Sequence, residues 1–449
     1  MSKTYKIKKG LDLKLQGAAE KLVKEYRPKM YALKPLDFIG VVPKVILKEG
    51  EKLKAGQQVF YDKKRENIFF SSPVSGVLKE IKRGPKRVIE EVIIEADEQQ
   101  EYIDFGKEAL QDISKEEVTK KLLASGLWAF IRQRPYDVIA NPEDAPKAIY
   151  IKAFDSAPLA ADYDLMLKQE IPFLQKGIDV LKKLTETDIF FNLHKKINQQ
   201  NMYSELKGVQ TNSFDGKHPV SNVSVQMSCL NPLNKGEIVW HIDATDVVAI
   251  GRLFEEGYYN HAKIIAFCGS EVKNPRYYRT IHGASIEELI KDELKQDNVR
   301  VISGDILTGT KINKNGFLSA YQNQLTIIPE GDHYSFLGWI LPGFKKFSVS
   351  RTYLAWMFPK KKHKLHTNLN GGERPFVMTG IYEKVIPMDI MPMQLCKAVL
   401  AEDIELMENL GIYEVVPEDF ALAEVICPSK TDMQHIIANG LEFLRKEMS

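Results

Sequence analysis

The sequence predicts an α/β multidomain protein, and three observations carry that prediction. The chain has 449 residues, too many for one hydrophobic core and enough for about three or four domains. Its first hundred residues read as short strands with period-two alternation and Gly or Pro at the joints. From about residue 100 to 255, strand patterns alternate with helical ones, as in an α/β layer.

Composition narrows the function. Sixty-two Lys and Arg against sixty Asp and Glu leave a formal charge of +2, so bulk electrostatics gives no support to nucleic-acid binding. Cys229, Cys268, Cys396 and Cys427 are scattered and form no C-x-x-C pair. That argues against a zinc site, a disulfide framework or a redox dithiol, and fits a reducing cytoplasm. Residues 1–10 carry charge without an apolar core, so no signal peptide is expected. No run approaches the roughly 18 to 20 apolar residues of a spanning helix. A membrane connection is therefore expected through partners or a surface patch. The strongest basic run, Lys360-Lys361-Lys362-His363-Lys364, follows Phe358-Pro359 and suits a solvated loop, anionic lipid or an acidic partner.

The elements follow in order. Val42–Leu47, Val59–Tyr61, Ile68–Ile81 and Val88–Ala96 supply strands of a small barrel or sandwich. Residues 45–57, then a hairpin, then Ser72-Pro73-Val74-Ser75-Gly76-Val77, resemble biotinyl/lipoyl-type domains. A carrier would show its modified lysine at the hairpin tip. Here the tip is Asp62-Lys63-Lys64-Arg65-Glu66-Asn67, with neither lysine at the usual spacing before Pro73, so a structural barrel is expected.

Glu116–Leu123 reads as helix, Ala148–Phe154 as a buried strand, Ala161–Leu184 as helix by its 3.6 spacing, and Asp188–Leu193 as strand. Glu237–His241 runs into a helix that Asp243 or Thr245 caps, with Val247, Ile250 and Phe254 on one face and Gly257 at its end. No G-x-G-x-x-G stands at a strand-to-helix turn, so a nicotinamide site is not expected. His261–Gly269 reads as strand, Ser285 to Glu288 as a capping box, and Val299–Gly309 closes a β-α-β unit of small β-grasp type. An aromatic-rich stretch, Phe336–Phe344, and a helical tail complete the chain.

Two motifs have the frame of cofactor sites without the ligands. Residues 386–395 scan like C-P-x-x-x-x-P-x-x-L with Ile386 in the cysteine slot, and Cys427-Pro428 ends a frame like C-x2-C-x2-C-x3-C-P. Cluster binding needs four thiolates at that rhythm. Pro417, Phe420 and Ala423 stand at the other three positions before Cys427, and none can ligate iron. By itself this segment favours a helical tail with one buried free cysteine, and the alternative is a cofactor-binding ancestor that kept the frame and discarded the cluster. The second motif, Ser125-Gly126-Leu127, opens like the flavin loop of the flavoprotein of respiratory complex I, S-G-L-R-G-R-G-G, whose glycines admit the flavin phosphate. Trp128, Phe130, Ile131 and Arg132 occupy that stretch here, so the loop cannot cradle a phosphate closely.

S-G-L-W-x-x-I-R-x-R-P (125–135), V-W-H-I-x-x-x-D-V-V-A-I-G-R-L-F (239–254), N-P-R-x-x-R-T (274–280) and P-M-D-I-M-P (387–392) are collinear. Together with the domain order they resemble the A-subunit family of the Na+-translocating NADH:quinone oxidoreductase, related to the Rnf C-subunit and the complex I flavoprotein. The resemblance implies a biotinyl/lipoyl-like barrel-sandwich over 1–100 and a Rossmann-like α/β domain over 101–257. A β-grasp (SLBB-type) domain over 258–330 and a helical C-terminal domain over 331–449, resembling a ferredoxin domain without clusters, follow. It implies a peripheral component on the cytoplasmic face of the bacterial inner membrane, with five partner subunits (B to F), chiefly the membrane-embedded B-subunit. That complex passes electrons from NADH to quinone and exports sodium. Flavins and iron–sulfur centres are expected in the partners and none in this chain, which contacts quinone or caps the B-subunit.

A quinone site needs an apolar slot with donors for the carbonyls. Trp128, Phe130, Arg132, Arg134 and Tyr136 supply that mixture, with Phe38 as an opposite wall; the alternative is core aromatics and arginines paired with nearby acids. His218, His241 and His282 are candidate proton donors or satisfied core histidines. Arg276 and Arg279 suit a carboxylate contact between domains or between subunits. No catalytic triad and no metal cluster is expected, so the isolated chain is not expected to be a catalyst. Two other classes stay open: a biotin- or lipoyl-type carrier or transferase component, and a soluble flavin or iron–sulfur carrier.

Overall fold

Two small antiparallel sheets build the N-terminal barrel. One runs Met30–Leu33, Ile89–Ala96, Gly76–Arg83, Lys52–Leu53 in space, and the other Pro43–Val45, Gln58–Asp62, Arg65–Ser71. Alternation turns Phe60, Ile68, Phe70, Leu78, Val92 and Ile94 inward, all buried, and each such side chain contributes about 1.5–3 kcal/mol. In this computed structural model the described residues are 3–107, 109–198, 202–333, 336–338, 340–344 and 346–448.

The hairpin tip is docked. Buried Asp62 accepts from the backbone N–H groups of Val42 and Lys64 through Oδ1. Its Oδ2 pairs with Arg65 at 3.3 Å, and Arg65 Nη1 donates to the Ile139 carbonyl at 2.8 Å. Ile139 belongs to the next domain, so the tip is tied to it and does not swing as an arm would.

That next domain is built on a seven-stranded sheet. Its order is Thr4–Lys6, Gln210–Asp215, Asp188–His194, Ala148–Lys152, Val239–Asp243, Arg132–Arg134, Val138–Ile139. The first five strands are parallel, Arg132–Arg134 runs antiparallel to Val239–Asp243, and Val138–Ile139 turns back antiparallel to Arg132–Arg134. Ala148, Tyr150 and Ile151 are buried, as in a strand covered on both faces. The expected single helix over 161–184 is two, Tyr163–Leu167 and Ile171–Leu184, with Pro172 in the first turn of the second. Proline lacks the N–H and fits a helix start, not its interior. The helix Ala244–Glu256 is capped by Asp243 and stops at Gly257, whose φ of +79° is a left-handed cap.

A fourth, six-stranded sheet runs Thr310–Ile312, Val299–Ser303, Gln324–Pro329, Ala262–Cys268, Arg276–Ile281, Glu20–Glu25. The helix expected from Ser285 is a single turn, Glu287–Ile290, without the capping box. Ser285 is instead held in an antiparallel bridge to Phe317, and its N–H donates to the Met30 carbonyl, which delays the helix. Residues 4–25 pair outside the barrel: Thr4–Lys6 extends the seven-stranded sheet, Glu20–Glu25 the six-stranded one, and Leu15 bridges His363. Both sheets offered a free edge, and pairing satisfies its backbone groups.

The C-terminal helices Pro392–Leu400, Ile404–Asn409, Ala421–Ile426 and Met433–Glu447 enclose their own core. Ile386, Phe420, Ala423 and Cys427 lie in it, each at most 1 % exposed. Cys427 Sγ is 3.2 Å from the Tyr382 hydroxyl. Among the described residues no group of three or more His, Cys, Asp or Glu could hold a metal, and no helix is long and apolar enough to cross a membrane. Trp339, within the aromatic stretch 336–344, lies outside the described residues.

Candidate functional site

The S-G-L segment joins the barrel to the α/β layer. The helix Lys115–Ser125 starts in a reciprocal Ser114–Glu117 capping box and ends at Gly126, φ +80°. A Cβ on Gly126 would lie 2.8 Å from the Ser71 backbone nitrogen, so the barrel can approach here because the side chain is missing. A 3-10 turn, Leu127–Phe130, then leads into the strand Arg132–Arg134, antiparallel to Val239–Asp243.

Its aromatics are core. Trp128 is 1 % exposed, donates from Nε1 to the Ala140 carbonyl at 2.8 Å, and meets Trp240 edge-on at 5.6 Å. Phe130 sits edge-on to Phe38, Tyr321, His261 and His282. Phe38 does face Phe130, 6.3 Å between ring centroids, but both are buried in the core.

The charged residues form a separate cluster around Asp137. Arg132 Nη1 reaches Asp137 Oδ2 at 3.0 Å and stacks on Tyr321 at 4.7 Å. His241 Nε2 lies 2.8 Å from Asp137 Oδ1, and Arg134 Nε 3.7 Å from the same oxygen. Burial would raise the Asp137 carboxyl, but Arg132, Arg134 and His241 outweigh it and hold it below the carboxylate range. His241 is pushed down to about 3 by burial and the two arginines. A neutral imidazole beside a carboxylate must donate its Nε2 proton, so His241 is a satisfied donor rather than a titrating one. Arg134 is 2 % exposed and pairs with Glu418 Oε1 at 3.2 Å through Nη2. Among the described residues its Nε and Nη1 have no hydrogen-bond acceptor, since 3.7 Å is too long. Tyr136, half-buried with φ +80°, packs edge-on against Tyr413 of the C-terminal helices.

The other candidates are dispersed. His218 Nδ1 is 3.0 Å from Ser156 Oγ, and its buried Nε2 has no partner among the described residues. His282 is buried 4.7 Å from His261. Burial depresses all three of these imidazoles. Arg279 reaches Glu170 at 3.2 Å and Glu25 at 3.5 Å, joining the six-stranded sheet to the α/β layer. Arg276 donates to the Asn274 carbonyl close by in its own chain segment.

A second locus was not among the sequence candidates. Strand order reverses between Ala148–Lys152 and Val239–Asp243, where open α/β sheets hold ligands at their carboxyl ends. Lys152 and Asp243 end those strands in register. Lys152 pairs with Asp155 at 2.8 Å, Tyr163 donates to Asp243, and Asn323 donates to Asp243 at 3.3 Å. The remaining crevice is about 50 Å³, far below the roughly 300–1,000 Å³ of a small-molecule pocket. Asp243 also accepts from the Thr245 N–H at 2.9 Å, so the chain's own carboxylate fills the anion seat at that helix start. Neither a flavin nor a nucleotide phosphate fits these residues.

Asp137 and Glu418 were missed as well. Asp137 had a signal: it is the single acid between Ser125 and Asn141, beside two arginines. Glu418 lies 284 residues from Arg134 and had none.

Three family models match collinearly: the NqrA N-terminal barrel-sandwich hybrid domain over 5–97, the NqrA second alpha/beta domain over 113–259, and the NQRA C-terminal domain over 264–314. The A-subunit of the Na(+)-translocating NADH-quinone reductase of Hahella chejuensis is 36 % identical over 446 residues, covering 98 % of this chain and 99 % of that protein. The chain belongs to the A-subunit family of the Na(+)-translocating NADH-quinone reductase. Its relatives of the same name include those of Yersinia pestis bv. Antiqua, 36 % identical over 447 residues, and Pasteurella multocida, 35 % over 445, with the same coverage. The family is therefore one of oxidoreductase complex subunits, and the S-G-L segment lies within its second alpha/beta domain.

Proposed function

We propose that the chain is the peripheral A-subunit of a Na(+)-translocating NADH-quinone reductase on the cytoplasmic face of the inner membrane, with five further subunits (B to F) as partners. It acts as a scaffold without a redox cofactor of its own, caps the membrane-embedded B-subunit and contacts quinone. An identity of 36 % over 98 % of the chain to relatives so named supports the membership. The observation that carries the scaffold reading is the packed switch point, where Lys152, Asp155, Tyr163 and Asp243 leave about 50 Å³. The buried Ile386, Phe420 and Ala423 beside Cys427 agree with it. Flavins and iron–sulfur centres then belong to the partners. In this reading residues 1–100 are the barrel-sandwich and 101–257 a Rossmann-like layer. Residues 258–330 form an SLBB-type β-grasp, and 331–449 a helical domain of ferredoxin descent without clusters.

Within this reading quinone meets Arg134 and Tyr136, backed by the packed Trp128, Phe130 and Phe38. The support is the pair of buried Arg134 N–H groups without acceptors among the described residues. A quinone carbonyl is an acceptor whose charge grows on reduction, when such donors stabilise it most. The test is Arg134→Leu and Arg134→Lys in the assembled complex. Quinone reduction and inhibitor sensitivity should fall with Leu and less with Lys, while electron transfer from NADH to an artificial acceptor persists. Wild-type quinone reduction in Arg134→Leu would make Arg134 a structural residue.

A further inference from the structure

The sequence from His333 to Gly372 contains no Asp or Glu and seven Lys or Arg, in a chain otherwise nearly balanced. It also carries apolar side chains that the fold leaves in solvent. Phe336 is 88 % and Met357 55 % exposed, and Leu341, Phe344, Trp356 and Phe358 are each about half exposed. Phe344, Met357, Phe358 and Pro359 line an open groove whose rim is Lys360 and Lys361.

The base of this region is pinned. His363 N–H donates to the Lys14 carbonyl, Gln16 N–H donates to the His363 carbonyl, and Lys14 Nζ donates to the Pro359 carbonyl at 3.0 Å. Lys364, about half exposed, pairs with buried Glu271 at 2.8 Å. Lys360 and Lys362 are exposed, and Arg351 stacks on Trp356 at 5.4 Å. The groove thus sets the apolar Phe344, Met357 and Phe358 beside Lys360 and Lys361 on a segment anchored at its base.

We propose that this face, centred on Phe344, Trp356 and Phe358 with Lys360, Lys361 and Lys362, seats on a bilayer surface that carries anionic lipid. Aromatic and aliphatic tips enter the headgroup boundary while lysines remain at phosphate level, their stems lying along apolar surface. The absence of acids over forty residues complements a negative leaflet and leaves these lysines no acid of their own segment to pair with. A protein partner fits less well, because the cores of protein interfaces are depleted in lysine. The proposal rests on the peripheral-component reading, but its test needs none of the partners.

The purified full chain is sedimented with vesicles of phosphatidylethanolamine and phosphatidylglycerol, and with vesicles of phosphatidylcholine alone. It should pellet with the first at least about tenfold more tightly than with the second, and rising salt should weaken that binding. K360E/K361E/K362E and, separately, W356S/F358S should each lose about tenfold or more, at unchanged melting temperature. Pelleting with neither vesicle overturns the proposal, as does wild-type affinity in both variants. Attachment solely to membranes that contain the complex's membrane subunits overturns it in favour of a protein-docking face. Failure here leaves membership of the complex standing, because co-purification tests that separately.

Discussion

Arg134 and Glu418 are 284 residues apart in sequence and 3.2 Å apart in space. That contact, with Tyr136 against Tyr413, fastens the α/β layer to the C-terminal helices. Removing one member of a buried ion pair leaves the others uncompensated, at a cost of about 3–5 kcal/mol, less where a partner reaches solvent. Glu418 keeps a third of its side chain exposed, and Asp137 retains Arg132. We predict that Arg134→Met loses about 2–3 kcal/mol in urea unfolding and Glu418→Gln less than half of that.

Asp246 gives a pH signature. Burial pushes its carboxyl up to about 7, against Lys263 and Arg132, while an unfolded Asp titrates near 3.9. The native state therefore binds the proton between those values and the unfolded state does not, so this group makes stability fall as pH rises from about 4 to 7. Asn in its place can keep a hydrogen bond to His261, now 2.8 Å from Asp246 Oδ1. We predict that Asp246→Asn gains on the order of 4 kcal/mol over wild type at pH 8 and that the gain vanishes near pH 4. A gain independent of pH would contradict this.

Gly251→Ala sets two effects against each other. Alanine favours a helix interior by about 1 kcal/mol. At Gly251, however, a Cβ would overlap the Phe173 carbonyl oxygen and lie 2.9 Å from the Gly177 nitrogen, both backbone atoms of the facing helix. Backbone cannot rotate away, and overpacking costs about 1–3 kcal/mol. We predict a net loss of about 1–2 kcal/mol by thermal or urea melting, whereas a stabilised variant would show that the two helices separate freely.

The parts legible in sequence were those set by local chemistry. The Asp243 cap, the Gly257 stop and the core strand at 148 follow from side chains within a turn or two. Pro172 was visible in sequence too, yet the continuous apolar stripe masked the break it makes. What could not be read was set by distant partners. Residues 4–25 lie on sheet edges completed two to three hundred residues later. The S-G-L segment was legible as altered, but Trp128 and Phe130 became core because Phe38, Tyr321 and Trp240 converge on them. Arg134 stood out as unusual, while the carboxylates that hold it did not.

Asp243 does two jobs at the switch point, capping its helix and accepting from Tyr163 and Asn323. We predict that Asp243→Ala costs more than the roughly 1 kcal/mol of an ordinary cap. Tyr163→Phe should recover part of that loss in the double variant, because the hydroxyl left without an acceptor is then gone. Strict additivity in the cycle would show that the two groups are not coupled.

If the chain keeps a cofactor-bearing architecture with its sites packed shut, it leaves its complex carrying nothing covalently or tightly bound. Native intact-mass spectrometry on the chain released from its own host's complex reads that out. The expected mass is that of the unmodified polypeptide, with no flavin, iron–sulfur, biotin or lipoyl addition. A stoichiometric flavin, cluster or acylated lysine on the chain would contradict it.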